Sequence, residues 1–310
     1  MIQTNIPLKK HSNFKIGGPA SYFFEFKGEE GLINGLREWK ELGRDLPIFV
    51  IGGGTNILFS DDGFEGLVIK DSLSFIKREG DFVSVGSGSM VDDLVSFCVQ
   101  NSLSGFEWAG GLPGTVGGGI RGNAGAFLGE MEDGLIEVTS IDINTLKIKK
   151  RNKKECLFGY RQSVFKSGNG KNEIILSVKY KLKKGKREEI KKKTQEKIDY
   201  RIDRHPLDLP SIGSTFKNVD VKKVPKKVLE EFKNSIKPDP FPVIPVAKLL
   251  VSLDFKGREI GGAKFSERHP NFIVNFNNAK AKDVIALVNL AKREIKEKYD
   301  IELEEEIMII

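Results

Sequence analysis

The run GGLPGTVGGGIRGNAGAF, from Gly110 to Phe127, holds eight glycines in eighteen residues. Glycine loses more backbone freedom on folding than any other residue, so a run this dense needs a compensating reason. Either the chain turns repeatedly through positive φ, or something approaches its backbone too closely for side chains. FVIGGGTN (Phe49 to Asn56) and VSVGSGS (Val83 to Ser89) also place glycine where an apolar strand ends. Successive N–H groups in such turns form concave anion nests, so several together point to a long, phosphate-bearing ligand held largely by main chain. Turn formation alone is the other reading of the short runs. Gly117, Gly119 and Gly122 have the spacing G-x-G-x-x-G, but WAGGLPGT stands where a dinucleotide fingerprint needs a strand and NAGAF where it needs a helix. No glycine run continues into Gly-Lys-Ser or Gly-Lys-Thr, so a P-loop is excluded as well.

At 310 residues, 39% hydrophobic and 30% charged, the chain is long enough for two or three domains with a sizeable core. No segment approaches the roughly 18 apolar residues of a membrane span, so no membrane association is expected. The opening MIQTNIPLKK lacks a signal peptide's apolar core. Two cysteines, Cys98 and Cys156, without a CxxC pair, predict a reducing cytoplasmic setting. The formal charge of +7 is concentrated in KYKLKKGKREEIKKKTQEK (Lys179 to Lys197), where acids are interspersed. That predicts a solvated hairpin end and helix face; a nucleic-acid patch would need a recognition motif, and none accompanies it.

Periodicity predicts an α+β protein. SYFFEF reads as a strand, EEGLINGLREWKELG as an amphipathic helix closed by Gly43, and PIFVIGGG as a buried strand. GLVIKD, FIKREG and DFVSVGSGS read as short strands, and MVDDLVSFCVQN as a helix. LIEVTSIDI, TLKIKKRNKKECLF and EIILSVKYKL read as strands after the glycine run. In the last hundred residues a helix from Lys282 to Tyr299 carries Val284, Leu287, Val288, Ala291 and Ile295 on one face, before a terminal strand IELEEEIMII. The domains expected are residues 1–75, 76–198 and 199–310.

Together, GGLPGTVGGGIRGNAGAF and FVIGGGTNIL resemble the FAD-binding domain of the UDP-N-acetylenolpyruvoylglucosamine reductase (MurB) family. The resemblance continues through NFKIGGPA, GYRQSVFK, RHPLDLPSIGSTFKN, GGAKFSERHPNFIVN and LEEEI, in order along nearly the whole chain. It implies a two-part FAD-binding domain of the PCMH/vanillyl-alcohol-oxidase type (1–75 and 76–198) plus a C-terminal α/β substrate-binding lobe. It implies non-covalent FAD, NADPH as reductant, and reduction of UDP-N-acetylglucosamine enolpyruvate to UDP-N-acetylmuramate for peptidoglycan. The cofactor contacts it places are Gly52, Gly53, Gly54, Thr55, Asn56, Leu112, Pro113, Gly114, Thr115, Gly118, Ala124 and Gly125. A cytoplasmic monomer without a metal, acting on a nucleotide-sugar, is the corresponding expectation.

Hydride addition to the enolpyruvyl double bond leaves negative charge on carbon 2, spread into the carboxylate, so the protein must supply charge stabilisation and a proton. Ser214 matches the family's proton donor; Arg161 and Glu306 match the groups that polarise the carboxylate and enolate. Arginine keeps its charge and its planar fork suits a carboxylate. Strict alternation in IELEEEIMII puts Glu305 among Ile301, Leu303, Ile307 and Ile309, so periodicity nominates Glu305 while the motif nominates Glu306. Lys217 and Asn218 by motif position, and Arg204 by charge, are candidates for the UDP diphosphate. His269 and Ser266 match the family too, although a lone His beside a strand reads as structural. The resemblance covers two forms of the family, and the short, lysine-rich interval from Arg161 to Ser214, with RGNAGAF, predicts the one without an inserted tyrosine lid. Two departures bear on the substrate loop: VAKLLVSLDFKG is a loose version of its counterpart, and Val219 stands where a proline is common. The rival readings are a flavoprotein sharing only the FAD domain and a basic binding protein without catalysis.

Overall fold

The computed structural model describes all 310 residues, folded as an α+β chain. Two compact units emerge: Met1–Ile6, Ala20–Gly53 and Glu65–Arg201 form the first, and Pro7–Pro19, Gly54–Phe64 and Ile202–Ile310 the second. The expected segment 1–75 is therefore not of one piece. Residues 7–19 and 54–64 join the second unit because Phe14, Ile16 and Leu58 enter its core. Residues 54–60 are also stitched to the C-terminus, with Met308 N donating to Asn56 O at 2.9 Å and Ser60 N to Ile310 O at 2.7 Å.

In the first unit a four-stranded sheet runs in the order Gln3–Pro7, Pro19–Phe26, Phe64–Asp71, Ile48–Ile51. The helix Glu29–Glu41 buries Leu32, Leu36 and Trp39 against Phe24, Phe26, Leu67 and Ile69. Its ends follow the dipole rule, with Glu29 and Glu30 in the first turn and Lys40 in the last. A five-stranded antiparallel sheet follows, ordered Ile148–Asn152, Leu135–Asp142, Glu173–Lys181, Phe82–Gly86, Ile76–Glu79. A separate core lies on it, in which fully buried Tyr180 donates its hydroxyl to Met131 O at 3.0 Å. The strand expected through TLKIKKRNKKECLF stops at Asn152, and Lys154–Cys156 is a 3-10 turn. The lysine-rich stretch ends in the helix Arg187–Arg204, of which only Ile190, Thr194 and Arg201 are buried.

The second unit packs the helix Ala281–Tyr299 over a sheet ordered Ser211–Ser214, Phe272–Asn275, Ala263–Phe265, Glu259–Ile260. Val284, Leu287, Val288, Ala291 and Ile295 form the buried stripe that the spacing requires. Asp61 accepts from Ala281 N (2.8 Å) and Lys282 N (3.2 Å), supplying the orphan donors of the first turn with an acceptor. The terminal stretch departs from the alternation. Glu305 makes an isolated bridge to Phe216, a bend follows, and only Met308–Ile309 is strand, leaving Ile309 exposed.

One ionic cluster ties the large sheet together. The buried Glu173 carboxylate accepts from Ser140 Oγ (2.7 Å), Lys149 Nζ (3.0 Å) and Arg151 Nη2 (2.6 Å). Burial alone lifts its pKa, but the Arg151, Ser140 and Lys149 bonds outweigh it and hold the carboxyl at about 2, below its ordinary 4.5. A depressed pKa contributes stability above the unfolded value and loses it as pH falls toward the folded one. The urea-unfolding advantage of the native chain over Glu173→Gln should therefore be full near neutrality and shrink between about pH 4.5 and about pH 2. A difference constant across that window would contradict this account.

Candidate active site

The glycine run contains a helix that its sequence hides. Val116–Gly122 is helical, with Thr115 as N-cap accepting from Gly118 N at 3.4 Å and Asn123, at φ +42°, closing the C-terminus. Glycine inside a helix is unfavourable by about 1 kcal/mol relative to alanine, and here the reason for it is packing. A Cβ on Gly117 would lie 2.8 Å from Ser87 Cβ, and one on Gly119 3.1 Å from Met131. A Cβ on Gly110 would come within 2.6 Å of Thr194 O, and one on Gly52 would overlap Thr115 Oγ1. Gly52 and Thr115, distant in sequence, are thus in direct contact, and Lys70 Nζ donates to Gly52 O.

The far end of the run is a tight hairpin pairing Gly125 with Glu130. Arg161 reaches it: its Nη2 donates to Gly125 O at 2.8 Å, and the guanidinium lies 5.1 Å from the Tyr160 ring. Arg161 adopts φ +56°, and Lys166 Nζ donates to its carbonyl at 2.9 Å. Buried Asn123 joins turn to hairpin, with Nδ2 donating to Glu130 Oε2 (3.0 Å), Glu132 Oε1 (3.3 Å) and Gly159 O (3.2 Å). Burial raises the Glu130 carboxyl above its ordinary value; Asn123 opposes this and Glu132 adds to it.

Arg201 lies just beyond the charge run, in the helix that the run leads into. It is buried, donates from Nη1 to Gly110 O and from Nη2 to Trp108 O (3.5 Å), and lies 5.1 Å from the Phe127 ring. Burial works against its charge while Asp92 supports it. A basic residue in a lysine-rich helix carries no signal of burial, so sequence reasoning had no means to single it out.

In the second unit, Gly54 takes φ +64° and its carbonyl accepts from Asn13 N at 2.9 Å. Asn56 does not satisfy its own turn: its Nδ2 donates to Glu306 O at 3.0 Å. Ser214 ends a strand just after Gly213, at φ +85°. The next residues are bonded to the terminal stretch, Glu306 N to Thr215 O at 2.8 Å and Lys217 N to Glu304 O at 2.9 Å. Asn56, the Ser214–Lys217 segment and Glu306 are thereby brought together. Ser214 and Glu306 are both half-buried. Glu305 is committed elsewhere, 2.8 Å from Lys292 Nζ.

Glu304 bridges Lys223 (2.9 Å) and Lys217 (3.1 Å), and these two lysines hold its carboxyl below the ordinary range. Asn218 Oδ1 accepts from Val246 N at 3.2 Å, capping the helix Val246–Val251, while Arg204 is exposed. Burial pushes the His269 imidazole down to about 4, and its Nδ1 accepts from Asn271 N at 3.3 Å, which is a structural bond. Ser266 Oγ is likewise used within its own turn, accepting from Arg268 N and His269 N. No group of three His, Cys, Asp or Glu side chains could hold a metal ion.

Comparison with known proteins extends these observations. Residues 21–145 match the FAD binding domain family, and residues 205–310 match the family described as UDP-N-acetylenolpyruvoylglucosamine reductase, C-terminal domain. The UDP-N-acetylenolpyruvoylglucosamine reductase of Caldanaerobacter subterraneus subsp. tengcongensis is 36% identical over 307 residues, 99% of this chain and 92% of that protein. That of Clostridium perfringens is 34% identical over 310 residues, 100% of this chain and 93% of the relative. The crystal structure of the reductase (MurB) from Thermus caldophilus superposes with a TM-score of 0.77 at 29% identity, covering 100% of this chain and 98% of the other. The chain belongs to the UDP-N-acetylenolpyruvoylglucosamine reductase family.

Proposed function

We propose that this chain reduces UDP-N-acetylglucosamine enolpyruvate to UDP-N-acetylmuramate in the cytoplasm, using FAD with NADPH as the reductant, as a step of peptidoglycan precursor synthesis. The observation that carries the reading is the bonding of the Ser214–Lys217 segment to Glu304–Glu306, in a chain of this family. The unpaired Cys98 and Cys156 fit a reducing compartment.

The residues present fit FAD. In the main-chain hydrogen bonds, Gly54, Asn56, Gly114 and Thr115 take part through their carbonyls, and Gly53 and Thr55 not at all. Their N–H groups are left as the donors that a cofactor diphosphate accepts from. Gly52, Gly53, Gly54, Thr55, Asn56, Leu112, Pro113, Gly114, Thr115, Gly118, Ala124 and Gly125 would hold the cofactor, without a covalent link. Bound and reduced, FAD supplies the two electrons that enter the enolpyruvyl double bond.

The chain's own groups do the rest. Ser214 Oγ gives its proton to carbon 2, and its stereochemical face is set by the segment that carries it. Arg161 neutralises the carboxylate into which the charge spreads. Glu306 assists by holding another donor in place. Lys217 exchanges Glu304 for the substrate diphosphate, with Arg204 and Asn218 as further contacts. The lidless form is supported by what fills the interval from Arg161 to Ser214: of its tyrosines, Tyr180 is fully buried and Tyr200 packs on Phe127 at 5.1 Å.

Anaerobic flavin absorbance tests the reading. NADPH should bleach the FAD-loaded protein and UDP-N-acetylglucosamine enolpyruvate should restore the colour; bleaching without recovery would defeat the substrate assignment. Ser214→Ala should leave bleaching within about two-fold of native and slow recovery by about 100-fold or more, because only that half-reaction consumes the proton. Equal loss in both halves would remove Ser214 from this role.

The two glutamates separate in the same assay. Glu306→Gln should slow recovery by about 100-fold, whereas Glu305→Gln, which breaks only the Lys292 pair, should change it by no more than a few-fold. The reverse order would assign the role to Glu305.

A further inference from the structure

The strand Ser211–Ser214 sets Ser214 opposite Phe272, but at the end of an irregular ladder. Its pairing with Phe272–Asn275 slips between Ser211 and Ser214, and Gly213 is in the left-handed region. The segment that follows has Glu304–Glu306 along one edge and no neighbouring strand along the other. That other edge is supplied by one residue, Asn271, which is 3% exposed. Its main-chain oxygen accepts from Thr215 N at 2.7 Å. Its side-chain Oδ1 accepts from Phe216 N at 3.0 Å, and its Nδ2 donates to Phe216 O at 2.8 Å. The amide therefore gives Phe216 the donor and acceptor pair that a strand neighbour gives in a ladder.

Asn271 is itself anchored, with its N–H donated to His269 Nδ1 at 3.3 Å and Phe272 N donated to His269 O at 2.9 Å. Buried and doubly bonded, its side chain holds one rotamer, so the segment from Ser214 to Lys217 is fixed from both sides. On this edge both polar main-chain atoms of Phe216 depend on one carboxamide. A misplacement of the order of 1 Å in a reacting group costs about 100-fold in rate.

We propose that Asn271 is a positioning residue for the proton-transfer step, acting through the backbone of Thr215 and Phe216 to hold Ser214 Oγ in place. It rests on the reading of Ser214 as the proton donor. It does not itself touch substrate: both polar atoms of its side chain are taken up by Phe216.

Asn271→Asp keeps the shape and the acceptor but loses the donor, and sets a carboxylate against the Phe216 carbonyl. Asn271→Ala removes both bonds. In the FAD-loaded protein reduced with dithionite and mixed with UDP-N-acetylglucosamine enolpyruvate, each variant should reoxidise about 10- to 100-fold more slowly than native. FAD content and bleaching by NADPH should stay within about two-fold. A readout independent of activity is amide hydrogen exchange, which should accelerate at Phe216 and Lys217 while the helix Ala281–Tyr299 keeps its protection. The double variant Ser214→Ala/Asn271→Asp should be no slower than Ser214→Ala alone, since a residue acting through another adds nothing once that other is gone. If Ser214→Ala reoxidises at the native rate, the reading of Ser214 fails. If Ser214→Ala is slow but the Asn271 variants are native-like, multiply with it, or lose FAD and both half-reactions together, the role given to Asn271 is overturned.

Discussion

The second unit depends on a parallel pairing between residues separated by nearly the whole chain: Ile57 with Met308 and Leu58 with Ile309. Closing so long a loop costs conformational entropy before any bond is made. Burial offsets it, since Leu58, Phe216 and Ile307 all enter the core of that unit. Three consequences follow from the one pairing. Asn56 is set where its amide meets the Glu306 carbonyl; Glu304–Glu306 is presented as an edge for Thr215–Lys217; and the bend after Glu305 turns successive glutamates to different partners. Glu304 goes to two lysines and Glu305 to Lys292, so these two adjacent carboxylates meet different partners.

The glycines of the first unit do two jobs that composition cannot separate. At Gly117, Gly119 and Gly110 the absent Cβ makes room for Ser87, Met131 and Thr194, so these positions serve packing within the chain. A Cβ at Gly122 would meet nothing within 4 Å, and one at Gly118 only Thr115 Oγ1 at 3.4 Å, so crowding does not account for them. Packing this close has a cost. Trp108 Nε1 and Thr194 Oγ1 are buried against the run without a hydrogen-bond partner, a penalty of about 1–3 kcal/mol each. Arg201, placed on the Gly110 and Trp108 carbonyls, satisfies acceptors in the same place.

What the sequence made legible was whatever depends on periodicity. The face of the Ala281–Tyr299 helix could be read because five apolar residues recur at helical spacing and burial follows that spacing. The helix Val116–Gly122 could not, because glycine propensity argues against it and only the facing Ser87 and Met131 justify it. Burial in IELEEEIMII follows the alternation through Ile307, although the backbone bends after Glu305, and fails at Ile309, which is exposed. Arg201 and Asn271 were silent for a related reason. Each acts on main-chain carbonyls or amides of a distant segment, and a polar residue bonded to backbone leaves no complementary residue to find. The segment swap of 7–19 and 54–64 was illegible for the same cause, since nothing local says which core Phe14 or Leu58 will enter.

Backbone strain in the first unit gathers around the Arg161 turn. Asn123, Phe127, Leu128, Leu157 and Arg161 all have positive φ without being glycine. Such residues cost of order 1 kcal/mol or more each and persist only where their surroundings over-determine them. At Arg161 the surroundings do so visibly. Lys166 holds its carbonyl, the Gly159–Gln162 bridge closes the turn, Asn123 grips Gly159, and Gly125 receives the guanidinium. A long, flexible side chain is thus tied down by the fold, and the entropy of ordering it is part of the cost of folding. The strained turn is therefore coherent with a group whose value lies in where its charge is held.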